Sequence, residues 1–265
     1  DLGAEDYNIN PYSSAYRIRA EGHNTVVINP DEDYDQRYGS FASFDKWEMK
    51  PRGSFATADL TDVYADYVNS AWRGVKLDNY RRTVTVQDEI EMKEPSEFYW
   101  FAHTEAEIEI SEDGKTAYLN KNGKVLKAEI TSGDGATFSV MDAKPLPTSP
   151  VVEGANPNDG IRKLAIYIPK CQSLKLTVVF NCCDVDGETS YFDRNFIPLS
   201  QWSIPDGENT PAYATVNSIT VDGKPLDGFD PNVNSYEVLL ERSNSVESPV
   251  VTVVADGEVR ISQAI

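Results

Sequence analysis

YRIRAEGHNTVVINP, residues 16–30, is the stretch on which the reading of this chain turns. Taken as a strand, its side chains alternate: Arg17, Arg19, Glu21, His23 and Thr25 share one face, and Ile18, Ala20, Gly22, Val26 and Ile28 share the other. Such a strand packs its apolar side on a sandwich core and turns its charged side to solvent or to another domain. The periodicity therefore predicts an edge strand whose arginines and histidine are solvent-exposed at a domain interface.

Working outward, the same alternation recurs. NYRRTVTVQ (79–87) and AEIEIS (106–111) alternate cleanly, and LDNYRRTVTVQDEIEM, EFYWFAHTEAEIEIS, TAYLNKNGKVLKAEITS, ATFSVMDAKPL, RKLAIYIPK and SLKLTVVFNCCDVD read as strands punctuated by DG, NG, SGDG and NDG turns. TDVYADYVNSAW (61–72) is ambiguous, because Val63, Tyr67 and Ala71 also fit a helical spacing; a loop or short helix is expected there. Long helical periods are missing. SQWSIPDGENTPAYA (200–214) reads as a linker, after which a strand pattern restarts with Phe229 and Tyr236 as anchors. The expected fold is all-β: a large many-stranded antiparallel β-sandwich, a super-sandwich, over residues 1–211, followed by a small, incomplete β-sandwich module over 212–265. The second module is close to the size at which independent folding becomes difficult.

The 265 residues carry 24 Lys+Arg against 43 Asp+Glu, a formal net charge of −19, which argues against nucleic acid or an anionic membrane held by bulk electrostatics. No apolar run of about 18 residues is present to span a bilayer, and no signal segment opens the chain. DLGAEDYN reads as the continuation of an element already under way, so the chain is expected to be a fragment. Three cysteines, Cys171, Cys182 and Cys183, have neither metal spacing nor an even count, so a disulfide framework is not expected. No nucleophile elbow, phosphate loop or HExxH occurs.

The succession EGHNTVVINP, YRRTVTVQ, FYWFAHTEAEIEISEDGKTAYL resembles the C-terminal β-sandwich region of the heparinase II/III-like polysaccharide lyases. There a His-Asn-Thr strand follows a D-x-G segment, here Asp1-Leu2-Gly3. The resemblance covers about residues 1–205, and its most specific motif is HNT with its flanking AEG and VINP. SITVDGKPLDGFDPNVNSYEVLL resembles the cadherin-like β-sandwich repeats of secreted bacterial enzymes and surface proteins. The first resemblance implies a secreted or cell-surface lyase that cleaves an acidic, uronic-acid-containing polysaccharide, heparin- or alginate-like, by β-elimination. Its base and acid would lie on an α-helical toroid N-terminal to the sandwich, so this chain alone is expected to be inactive. It further implies that Asp1 and His23 are zinc ligands in the whole enzyme, supported by Asn24.

Arg17 and Arg19, with Asn24, are the candidate polysaccharide contacts, because guanidinium groups suit carboxylates and sulfates; salt bridges to Glu21 are the competing role. His103, placed with Tyr99 and Phe101, is expected to be structural. Arg81 and Arg82 point to opposite faces. The acidic clusters Asp31-Glu32-Asp33-Asp35 and Asp184-Asp186 offer carboxylates for calcium but lack EF-hand spacing, and read as solvated turns. The rival reading is a non-catalytic carbohydrate-binding or adhesion module whose Tyr34, Tyr38, Trp47 and Trp72 stack on sugar rings.

Overall fold

The computed structural model describes residues 2–50, 53–78, 83–182, 194–204, 216–231, 236, 238 and 249–255. Among the described residues of the first unit, Asp1–Pro205, ten strands follow one another. They are β1 (Val26–Ile28), β2 (Ser43–Lys50), β3 (Gly53–Asp59), β4 (Val68–Asp78), β5 (Thr83–Thr104), β6 (Glu107–Ile110), β7 (Thr116–Lys121), β8 (Lys124–Ser132), β9 (Phe138–Asp142) and β10 (Arg162–Cys182). All pair antiparallel in one sheet of order β2-β3-β4-β5-β10-β8-β7-β6, with β1 added beside β5 and β9 beside β10.

The long strands β5 and β10, 22 and 21 residues, organise this sheet. Early β5 pairs with β4 and late β5 with β1, while early β10 pairs with β9 and late β10 with β8. Each therefore serves both ends of the sandwich. Sequence alone suggests breaks at Glu94-Pro95 and near Pro169, but both lie inside continuous strands, where the ladder slips between Ile168, Cys171 and Ser173. Proline removes one ladder donor, and a bulge is where a sheet tolerates that. The bend lets the sheet fold over its own inner face, where Phe98, Trp100, Ile90, Met92, Leu164, Ile166, Leu176 and Val178 form the main core with Val26 and Ile28. Each fully buried aliphatic or aromatic side chain there contributes about 1.5–3 kcal/mol relative to exposure.

Two smaller clusters cover the outer face. At one end Ala20, Val27, Phe101, Leu146 and Ala165 lie beneath the N-terminal segment and the loop after β9. At the other end residues 197–204 lie across β2–β5, packing Leu199, Trp202 and Ile204 on Phe55 and Trp72. Gly74 makes that approach possible, since a Cβ there would lie 2.3 Å from Leu199 Cδ2. Lys46 and Lys50 donate to the carbonyls of Trp202 and Ile204 at 2.6 and 2.7 Å, and Glu48 accepts from the Ile204 amide. Trp72, a candidate sugar platform in the sequence, is thereby committed to packing.

Residues 61–67 form turns and the strand begins at Val68, so the ambiguous stretch is half loop and half strand. The second unit, Asp206–Ile265, contains a three-stranded sheet, β12-β11-β13, from β11 (Val216–Val221), β12 (Lys224–Pro225) and β13 (Val251–Ala255). The boundary expected at 211/212, Arg81, Arg82, Cys183, Asp184 and Asp186 lie outside the described residues. Among the described residues no helix is long and apolar enough to cross a membrane.

Candidate functional site around the His23-Asn24-Thr25 turn

The expected strand over residues 16–30 is three residues long, Val26–Ile28, and what precedes it is a chain of turns with a 3₁₀ turn at Ala20–Gly22. Backbone bonds Ile18→Ala15, Gly22→Arg19 and His23→Ala20, 2.9–3.0 Å, satisfy this segment locally. Gly22 seals the arrangement: a Cβ at that position would lie 2.1 Å from the Tyr16 carbonyl oxygen. The alternation of charge along the segment therefore does not mark two faces of a strand.

The charged residues work inside the fold. Arg19 is buried, and its guanidinium bonds the Asp35 carboxylate at 2.5 Å, the Asp31 carbonyl at 2.8 Å and the Asp33 carbonyl. Asp35 also accepts from the Glu21 amide at 3.1 Å. Glu21 is fully buried, lies 3.6 Å from Arg19 Nε, and accepts from the Leu146 amide and Ser149 hydroxyl at 3.0 and 3.1 Å. Arg17 is half-buried, with Nε on Asn158 Oδ1 at 2.7 Å and Nη1 on the Ala4 carbonyl at 2.9 Å. The expectation that the arginines share a solvent-exposed strand face is corrected accordingly: they brace the loops at 4–5, 31–35 and 143–158. In the 31–35 loop, read from the sequence as a solvated turn, Asp35 is instead buried against this guanidinium.

Lys163 completes this interior. Its amine lies 5.2 and 4.4 Å from the ring centres of Tyr16 and Phe101 and donates to the Lys144 carbonyl at 3.1 Å. Burial lowers its pKa to about 8, against the pull of Glu21. Burial pushes the Glu21 and Asp35 carboxyls up, opposed for Glu21 chiefly by the Leu146 amide and for Asp35 chiefly by Arg19.

On this base stand the two histidines. His103 is buried between Tyr16 and Asn24: Tyr16 Oη lies 2.7 Å from Nε2, and Asn24 Oδ1 lies 3.2 Å from Nδ1 and accepts the His103 amide at 2.7 Å. Burial, reinforced by Lys163, lowers the His103 pKa to about 3, so the ring is neutral, while burial raises that of Tyr16, which keeps its proton. Tyr16 then donates to Nε2, and Nδ1–H donates to Asn24. Asn24 is exposed, and its Oδ1 is held by the His103 amide and ring. The Asn24 carbonyl is held in turn by Arg73 Nη1 at 3.2 Å, while Arg73 grips Asp88 through two bonds of 2.7 and 3.0 Å. His23 is half-buried, hydrogen-bonded with the Arg17 backbone, and burial lowers its pKa.

Arg17, His23 and Asn24 thus lie along the same chain of turns, Arg19 is buried within it, and Asp1 is outside the described residues. Among the described residues no three His, Cys, Asp or Glu side chains are placed to hold a metal, so His23 supplies at most one member of the zinc set that the sequence resemblance implies. Tyr16, Arg73 and Lys163 are the supporting residues that sequence reasoning missed, whereas the Arg19–Glu21 ion pair is the competing role that the sequence offered.

The comparisons with solved structures belong beside this geometry. They find lyases. A mutant heparan sulfate lyase from Pedobacter heparinus matches with a TM-score of 0.46 and 13% identity over 63% of this chain and 24% of that one. A heparinase III matches with a TM-score of 0.46 and 14% identity over 62% and 24%. The chain spans about a quarter of the length of these structures, and the likeness is a distant structural one. No protein-family model matches the chain. No curated protein matches it.

The His103 geometry makes a pH prediction. The unfolded chain takes up a proton near the ordinary value of 6.5, whereas the folded ring does so only near about 3. Its contribution is fully present above about 6.5 and is lost as pH falls toward about 3, at up to about 1.4 kcal/mol per pH unit. Denaturant unfolding between pH 4 and 7 should therefore show a flatter pH dependence for His103→Gln than for the unaltered chain; parallel curves would contradict the neutral-ring assignment.

Proposed function

We propose that this chain is the β-sandwich portion of a polysaccharide lyase that cleaves a uronic-acid-containing polysaccharide by β-elimination, with the sandwich forming one wall of the cleft beside a helical domain that carries the base and acid. The observation that carries the reading is Asn24, exposed on the His-Asn-Thr turn with its Oδ1 held by the His103 amide and ring. β-Elimination passes through a carbanion-like state beside the uronate carboxylate, and fixed donors at that carboxylate make the state accessible. Asn24 and the remaining donors of Arg17 suit that task, and the neutral imidazole of His23 suits proton movement or metal ligation. Arg19, Glu21 and Lys163 act through position, holding the turn rigid. The same reading makes the protein a secreted or cell-surface one.

The test compares two proteins on heparan sulfate, heparin and alginate, following the absorbance of unsaturated uronate. The 265-residue chain should give no rise, and the chain expressed with the sequence preceding Asp1 in its gene should give one. In that longer protein Asn24→Ala should lower turnover about 100-fold or more, the scale of losing a fixed donor at developing charge. Turnover by the short chain, or none by the long one on any of the three polymers, would sink the proposal.

A further inference from the structure

The inner face of the sheet extends beyond the core it covers. Along β2 a bulge falls between Phe44 and Lys46, where the register passes from Phe44↔Ala58 to Lys46↔Thr57 and Trp47↔Ala56. The extra residue puts Phe44, Trp47 and Met49 on one face, where strict alternation would separate Phe44 from the other two. They are 77%, 70% and 72% exposed. Beside them β3 offers only small side chains, Ala58, Ala56 and Ser54, and beyond it β4 raises Arg73, Val75 and Leu77. Tall side chains on β2 and β4 thus flank a low floor on β3, a trough two inter-strand steps wide, about 9–10 Å. On the β4 wall, beside Ala58, stands Arg73, the residue that holds the Asn24 carbonyl.

We propose that this trough is a second, non-catalytic binding site for a single chain of uncharged sugar residues, with Trp47 and Phe44 stacking on pyranose faces. The occupant is argued from shape and charge. Stacking on flat aromatic faces suits the C–H-rich face of a sugar ring. Among the described residues Arg73 is the cation on the lining, and it is already bound bidentate to Asp88, while Lys46 and Lys50 turn to the opposite face and bond the 202–204 backbone. Among the described residues the lining therefore has no unpaired positive charge for a carboxylate or sulfate, and exposed Asp45 at the bulge adds a negative one. A second copy of this chain, itself at −19, is disfavoured by the same charge. The site stands apart from the lyase reading, since it needs no turnover and no helical domain.

The test is titration of the 265-residue chain with hexamers of β-1,4-linked glucose, xylose, mannose and N-acetylglucosamine, and with a hexuronate, by calorimetry and tryptophan fluorescence. At least one neutral hexamer should bind, the hexuronate should bind at least about tenfold more weakly, and Trp47→Ala should weaken the neutral ligand by about tenfold or more. Ala56→Phe, which raises the floor, should also abolish binding. Circular dichroism and thermal melting of both variants identify any loss of fold, and Trp47→Ala, at an exposed position, should melt as the parent does. Failure of all four neutral hexamers to bind at millimolar concentration, binding indifferent to Trp47→Ala, or a Trp47-dependent dimer in sedimentation would each overturn the proposal. None of these outcomes bears on β-elimination.

Discussion

Glu21→Ala is expected to destabilise the first unit by about 3–5 kcal/mol, the cost of removing one partner from a buried ion pair. A buried guanidinium needs its neighbours to supply counter-charge. Glu21 does so from a fully buried position, together with Asp35, and also satisfies the Leu146 amide and the Ser149 hydroxyl. Its loss leaves a desolvated guanidinium with one carboxylate and unpins the loop after β9. All four tryptophans, Trp47, Trp72, Trp100 and Trp202, lie in the first unit, so urea unfolding followed by tryptophan fluorescence reads that unit alone. A combined Arg19→Met, Glu21→Leu, Asp35→Leu variant should recover much of the loss, because Lys163, at about 8, can shed its proton when its anions are gone. A Glu21→Ala loss below about 1 kcal/mol would show that the cluster is a surface-like ion pair.

Gly22→Ala is expected to be the second most damaging single change. The added carbon would meet backbone, the Tyr16 carbonyl oxygen at 2.1 Å and carbon at 2.9 Å, so no side-chain rotation relieves it. The cost belongs at or above the upper end of the usual overpacking range, about 3 kcal/mol, or a fall in Tm of roughly 6–12 °C for a unit of this size. Because Tyr16 carries the bond to His103 Nε2, the histidine should also titrate closer to its ordinary value, which NMR of the ring would read. Gly123→Ala is the control: it lies in a hairpin turn at φ 72° with nothing within 4 Å of its Cβ, and should cost only the backbone strain, about 1 kcal/mol. Equal effects at the two glycines would mean that the Tyr16 approach is not what requires Gly22.

The glycine of the EGHNT motif thus has a reason that no strand reading supplies. In a strand Gly22 is merely a small residue on the apolar face; in the turn it is the point where two backbone segments touch. The misreading of residues 16–25 has a single cause. Alternating polarity arises whenever every second residue is charged, and it does not say whether the backbone is satisfied across a sheet or by local i→i−3 bonds. His103 shows the opposite case: its strand is real, so alternation correctly groups it with Tyr99 and Phe101, and its structural role as a hydrogen-bonded ring is the one expected.

What the sequence determined by itself is what local chemistry fixes. The all-β class follows from alternation in β5–β8 and from turn residues that place the backbone at positive φ, such as Asn122-Gly123 at 53° and 72° and Asp222-Gly223 at 50° and 74°. The His-Asn-Thr motif was legible as a candidate site, but as part of a strand rather than of a turn. Tertiary structure alone decided which charges are solvated. Arg19, Glu21 and Lys163 are buried because their partners arrive from loops far along the chain, Ser149 lying 128 residues from Glu21, and no local pattern encodes that meeting. The same holds in reverse for Phe44, Trp47 and Met49, apolar residues left uncovered because one bulge turned all three to a face that the opposing layer does not reach.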